Sequence, residues 1–361
     1  MYYQTSKYYV LSMIGQGQAH QVFKAQHNLS QTVYAIKMEK YPMSGQIESE
    51  IKVLKELNEI EGIPKLIHHG ITPEKKSYLI LPLLHCSLRD LVISKQISLS
   101  CTLTIGLSLL DTLQQMHRKS ILHLDIKPEN IMISQKIQIN SEDKLLEPGV
   151  IQLIDFGLSQ SLENLKFQKK VPIGSQNFAS RASHKGEQLG YKDDLESLLY
   201  VLVYLRNCKL PWTQKPSIGF RNMDNKLIGD MKTSLFNTIT LSQQFPLEFS
   251  KFMSYIDELK SDQMPDYSFI KQLFIKMLQA TSLSSNLNQL FNQCTTQSLG
   301  NQETLNFPAE KHLLISNSIQ AQIQEDNIGT ELIVANVQVS DMIGKYITTQ
   351  IKSISDLNSQ Q

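Results

Sequence analysis

Residues 121–133 read ILHLDIKPENIMI, which sets Asp125, Lys127, Glu129 and Asn130 between two apolar runs. His123, Asp125, Lys127, Pro128 and Asn130 make the pattern H-x-D-x-K-P-x-N. Five fixed positions arise by accident in roughly one chain of this length in ten thousand, so this stretch constrains the fold more than any other. Phosphoryl transfer needs a carboxylate to orient and deprotonate a hydroxyl, a cation beside the moving phosphate, and an amide oxygen for a metal ion. A rigid loop can present all three to one cavity. A polar turn capped by Lys-Pro, the plainer alternative, does not explain why these five residues occur together.

Two further motifs gain weight from their order along the chain. VIQLIDFGLS, residues 150–159, reads as a buried strand ending in Asp155, Phe156 and Gly157, where a carboxylate can reach a Mg²⁺ that bridges nucleotide phosphates. Upstream, IGQGQAHQV supplies Ile14, Gly15, Gly17 and Val22 in a G-x-G-x-x-x-x-V pattern that by itself is an ordinary hairpin turn. Its glycines let backbone N–H groups approach phosphates, and Val22 can cover a base. In YAIK, strand alternation puts Ala35 and Lys37 on one face and Tyr34 and Ile36 on the other.

The surrounding text predicts a two-part architecture. Val, Ile, Tyr and Phe punctuated by Gly and Asn predict antiparallel strands from residue 8, followed by a helix over ESEIKVLKEL, 48–57. From about residue 86 helix dominates, with Leu103, Leu107, Leu110 and Leu113 on the inner face of one helix. DDLESLLYVLVYL, 193–205, is acidic in its first turn and then apolar all round, as a central helix must be. The 16-residue stretch SQKIQINSEDKLLEPG before the DFG strand is expected to form a long surface hairpin. Residues 282–361 shift to Ser, Asn and Gln, with three basic against seven acidic side chains, and are expected to be largely disordered with a candidate docking segment.

A net charge of +1 gives no global field for nucleic acid or an anionic membrane, and the longest apolar run, LLYVLVYL, is too short to cross a bilayer. Cys86, Cys101, Cys208 and Cys294 lie without metal-ligand spacing and read as reduced thiols of a soluble cytosolic or nuclear protein. MYYQTSKYYV lacks the apolar core of a signal peptide.

In order and content the motifs resemble the eukaryotic protein kinase fold over residues 8 to about 281. That implies an α+β bilobal protein: a small antiparallel-sheet lobe with one main helix (about 8–84), then a larger helical lobe (about 85–281). Lys two residues after Asp125 resembles serine/threonine rather than tyrosine kinases. More narrowly, GSQNFASRASHKGEQLGYKDDLESLLYVLVYL, CKLPW and MPDYSFIKQLF resemble the casein kinase 1 family, and like that family the chain lacks Ala-Pro-Glu.

Carried over, the resemblance implies ATP and Mg²⁺ as cofactors and protein substrates for a monomer. It makes Asp125 the catalytic base, Lys127 the γ-phosphate cation, and Asn130 and Asp155 the metal ligands. Lys37 would hold the α and β phosphates, steadied by Glu50 or, failing that, Glu48. Leu81 stands at the gatekeeper position. The Pro82 carbonyl and the Leu84 N–H would meet adenine, between walls from Ile14, Val22, Ala35 and Met132. Asp194 would tie down the catalytic loop.

The chain departs from the family at four places. Leu124 replaces the Arg before the catalytic Asp, which pairs with activation-loop phosphate in many kinases, and is expected to pack among apolar groups instead. His20 replaces the third loop glycine. Asn177 replaces an Arg of the substrate anion site, with Lys170 and Arg181 as candidate replacements. Leu199 replaces a glycine of the central helix. These departures motivate the alternative of a nucleotide-binding scaffold without catalysis.

Overall fold

Three strands dense in β-branched and aromatic residues lead the chain: β1 (Tyr8–Gln16), β2 (His20–His27) and β3 (Val33–Glu39). With β4 (His68–Ile71) and β5 (Ser77–Pro82) they form an antiparallel sheet in the order β1-β2-β3-β5-β4. The computed structural model describes residues 7–94, 97–135, 142–162, 172–213 and 225–281. Residues 1–274 form one compact unit and 275–361 another, of which only 275–281 are described, as helix.

Register decides what each face of the sheet carries. Val22 pairs with Lys37, Lys37 with Leu79, and Ala35 with Leu81. Directly opposed residues share a face, so Val22, Ala35, Lys37 and Leu81 line one side. The other side buries Ala25, Ile36 and Ile80 with Tyr8 in a small core. Helix α1 (Gln46–Glu56) follows β3 and buries Ile47, Ile51 and Leu54, the stripe expected of an amphipathic helix, together with Glu50.

The second part is mainly helical. After β6 (Cys86–Ser87) and α2 (Leu88–Ser94) comes α3 (Leu99–Arg118), whose first turn is capped by the Ser98 hydroxyl accepting the Cys101 N–H. Leu103, Leu107, Leu110 and Leu113 are all buried. Short strands β7 (Ile121–Leu122), β8 (Ile131–Ile133), β9 (Ile151–Leu153) and β10 (Gln160–Ser161) flank the catalytic-type loop, with β6, β8 and β9 in one sheet and β7 paired to β10. Between β8 and β9 lies α4 (Glu142–Leu145). The remaining helices are α5 (Arg181–Lys185), α6 (Tyr191–Asn207), α7 (Asn225–Leu235), α8 (Ile239–Ser242) and α9 (Glu248–Glu258).

Thirteen of the seventeen α6 residues are buried, so this helix is the axis of the helical part. It packs on α3 at Gly106, where a Cβ would come within 2.5 Å of the Phe274 ring and 3.2 Å of Leu202. A side chain at 106 would have to displace the Phe274 ring, and Leu202 of α6 would have to give slightly.

Two expectations need correction. The stretch expected as a surface hairpin contains α4 instead, and its Leu145 is 1 % exposed and packs against α3. Apolar Leu145 gains more from burial than a solvent hairpin could give it. The DFG strand ends at Leu153, short of the motif, because Asp155 adopts φ +66° and cannot continue an extended ladder. Cys86, Cys101 and Cys208 are free thiols. Cys294, Lys170 and the expected tail lie outside the described residues. Among the described residues no helix is long and apolar enough to cross a membrane.

Candidate active site

The loop after β7 is held by one buried carboxylate. Asp194, in the first turn of α6 and 0 % exposed, accepts the His123 N–H at 2.8 Å and the Leu124 N–H at 2.9 Å. His117 of α3 bonds the same carboxylate at 2.9 Å through Nε2, and its Nδ1 meets the Tyr267 hydroxyl at 2.6 Å. Burial pushes the Asp194 pKa up, but these bonds win and hold it below the ordinary range. A charged acceptor for two successive N–H groups offsets the strain of Leu124 at φ +65°.

That turn aims Asp125 at a cluster of donors. Lys127 Nζ reaches Asp125 Oδ2 at 2.6 Å, and Asn130 Nδ2 donates to the same oxygen at 3.0 Å and to the Asp125 carbonyl at 2.9 Å. Oδ1 accepts from Ser175 twice, from the N–H at 2.9 Å and the hydroxyl at 2.7 Å. The Ser175 Oγ also accepts from Lys127 at 2.8 Å. Sequence reasoning assigned Ser175 no role, although GSQNF carried the family resemblance. Its signal is Gly174: at φ +91°, a Cβ there would lie 2.6 Å from the Leu124 carbonyl. Glycine at 174 brings Ser175 against the loop.

A second cluster joins the sheet to the DFG segment. Lys37 Nζ lies 2.7 Å from Glu50 Oε2 and 2.7 Å from Asp155 Oδ1. The alternative partner Glu48 instead accepts the Ser77 hydroxyl at 3.2 Å, so the ion pair falls to Glu50. Burial disfavours the Lys37 ammonium, but the two carboxylates outweigh it and raise its pKa. Burial likewise pushes Asp155 up, yet Lys37 overrides it and holds the carboxyl down to about 2. Phe156, 1 % exposed, is wedged edge-on against His123 with ring centres 5.2 Å apart, which ties the two clusters together.

Strand register places three of the expected nucleotide-site residues on the Lys37 side of the sheet. Val22, Ala35 and Leu81 share the Lys37 face, and Gly15 pairs with Val22 at the end of the first hairpin. Pro82 closes β5, Leu84 follows it half-buried, and Met132 lies half-buried on β8. Ile14 is 49 % exposed on β1, so of the wall residues it is the least enclosed.

The donor set suits a hard cation only in company. Among the described residues no group of three or more His, Cys, Asp or Glu could hold a metal. Asp155 could offer one carboxylate, and Asn130, having spent its Nδ2 on Asp125, an amide oxygen. Two oxygen ligands completed by phosphates and water are what Mg²⁺ takes.

The site's departures from the family are now visible. Leu124 packs with Leu122, Ala182, Leu189 and Tyr191, an apolar nest with no place for an Arg side chain's charge. Arg181 does not replace the lost Arg at 177. Its guanidinium pairs with Glu196 at 3.2 Å and Asp257 at 2.8 Å and stacks 3.4 Å over Phe236. Lys232 of α7, 0 % exposed, donates to the carbonyls of Gln176 (3.0 Å) and Ala179 (2.6 Å), and Trp212 Nε1 donates to that of Asn177 (2.9 Å).

Sequence comparison gives this geometry its context. The family described as protein kinase domain matches residues 8–301. Casein kinase I homolog 2 of Schizosaccharomyces pombe is 29% identical over 283 residues, covering 76% of this chain and 63% of the relative. Casein kinase I homolog 3 of Saccharomyces cerevisiae is 28% identical over 273 residues, 69% of this chain and 51% of the relative. A probable serine/threonine-protein kinase of Dictyostelium discoideum is 29% identical over 290 residues, 76% and 54% respectively. The chain thus spans less than two thirds of the length of these relatives.

Proposed function

We propose that this chain, which belongs to the protein kinase family, is an active casein kinase I-like serine/threonine kinase that transfers the γ-phosphate of ATP to protein hydroxyls. The observation that carries the reading is the Asp125 carboxylate, flanked by Lys127, Asn130 and Ser175 and joined through His123 and Phe156 to the Lys37–Asp155 pair. In this reading Asp125 orients the substrate hydroxyl and accepts its proton. Lys127 stays beside the transferred phosphate and Lys37 holds the α and β phosphates. Mg²⁺, held by Asn130 and Asp155, neutralises phosphate charge when bound. Pro82 and Leu84 meet the adenine edge, while Ile14, Val22, Ala35 and Met132 cover its faces. Gly15 and Gly17 keep the loop above the phosphates narrow. A scaffold without catalysis is the weaker reading, because Lys37, Asp125 and Asp155 are all present and paired.

Substrate choice follows from charge. Among the described residues, Asn177 brings none, Arg181 is neutralised by Glu196 and Asp257, and Lys232 is buried against carbonyls. The reading therefore includes only a weak preference for acidic or phosphorylated substrates. The test is labelled transfer from ATP with Mg²⁺ to casein and to peptides carrying neutral, acidic or phosphorylated residues three before the acceptor. Label on Ser or Thr with little gain from acidic residues is expected. Absence of transfer while ATP binds would favour the scaffold, and strong acidic dependence would refute the substrate reading.

A further inference from the structure

At the tip of the β1–β2 hairpin two backbone groups are bonded within the fold. The Gly17 N–H donates to the His20 carbonyl at 2.9 Å, and the Ala19 carbonyl accepts the Lys40 N–H at 2.8 Å. The Gly17 N–H is thus spent inside the turn. What the loop has instead is an imidazole. A Cβ built on Gly17 would lie 2.8 Å from His20 Cε1 and 2.9 Å from its Nε2, so the ring is folded back over that glycine.

Register sets its direction. His20 and Val22 are two apart on β2 and share a face, and Val22 pairs with Lys37. The imidazole is therefore on the Lys37 side of the sheet, over the space between loop and DFG segment. The charges that act on it are those of that space: Lys37 of β3, Asp155 of the DFG turn, Lys40 after β3, and Lys127 of the catalytic-type loop. Partial burial first, then Lys37, lowers its pKa, so the ring is mainly a neutral donor at pH 7.

We propose that His20 is a phosphate-binding residue of the nucleotide site, its ring N–H donating to the terminal phosphates of ATP or ADP. The inference rests on the kinase reading above, since it needs a nucleotide in the cleft. In this reading the residue that stands where the resemblance expects a loop glycine supplies a hydrogen bond of its own.

The experiment is direct binding by calorimetry of Mg-ADP, AMP and adenosine to the full chain, wild type beside His20→Gly and His20→Gln. An N–H donated to a charged phosphate is worth enough that its removal should weaken ADP about ten-fold or more. His20→Gly is expected to lose that factor for ADP, with adenosine unchanged and AMP nearly so. His20→Gln, which keeps an N–H donor, should recover most of it. Equal or tighter ADP binding by His20→Gly, or an equal loss for adenosine, would overturn the assignment while leaving the kinase reading intact. Wild-type protein that binds neither ADP nor adenosine would overturn both.

Discussion

Leu124 is held in a backbone conformation that costs a non-glycine residue roughly 1–2 kcal/mol, and two things offset the cost. Its N–H is fixed by Asp194, and its side chain, 6 % exposed, fills the nest with Leu122, Leu189 and Tyr191. A side chain that is itself part of the apolar support has no need of a phosphate to order it. Leu124→Ala is predicted to cost about 2–4 kcal/mol of stability by leaving a cavity, read as a fall in melting temperature. Phosphatase treatment of the wild-type protein is predicted to leave activity unchanged, and loss of activity on treatment would show that a phosphate does the ordering after all. At this scale the motifs were legible: H-x-D-x-K-P-x-N grouped Asp125, Lys127 and Asn130, which hydrogen-bond to one another, and the kinase resemblance added Asp155. The partners of Ser175 and Lys232 were not legible, because their contacts cross 50 and 53 to 56 positions of sequence without a motif.

At the scale of elements, the helices and strands followed from periodicity wherever one face is apolar, as in α1, α3 and α6. Sequence pattern misjudged α4, where Leu145 alone decides burial, and the end of β9, where a positive φ at Asp155 interrupts the strand. Helix α7 makes a contribution that no pattern announces. Its Lys232 Nζ meets two carbonyls of the 176–179 loop and His184 Nε2 at 3.0 Å. These three partners suit an ammonium donating three N–H bonds as well as a neutral amine donating two and accepting one from the imidazole, so burial decides between them. Burial lowers the Lys232 pKa to about 7 against the pull of Glu196. The unfolded chain, with an ordinary lysine, holds more protons between pH 7 and 10, so this residue's contribution to stability rises with pH over that window. The melting temperature of wild type relative to Lys232→Met is predicted to climb by several degrees from pH 7 to 9.5, at roughly 2–4 °C per kcal/mol. Parallel curves would mean that Lys232 is charged in the fold.

For the whole molecule, the central relation is between two clusters built on different parts of the fold. The sheet contributes Lys37 through its register, α1 contributes Glu50, and the DFG turn adds Asp155. The helical part contributes Asp125, aimed by Asp194 from α6 and flanked by Ser175. Phe156 packed on His123 makes the two halves of the site depend on one another. The bilobal plan was readable from the order of the motifs, whereas this coupling is a property of three-dimensional packing. In the proposed mechanism Asp125 accepts the proton of the attacking hydroxyl. Single-turnover transfer from labelled ATP, wild type beside Asp125→Asn, tests it most directly. A fall of about 10²–10⁴-fold in the transfer rate with ATP affinity retained is expected, because the variant keeps the shape but not the base. Transfer at the wild-type rate by Asp125→Asn would contradict it.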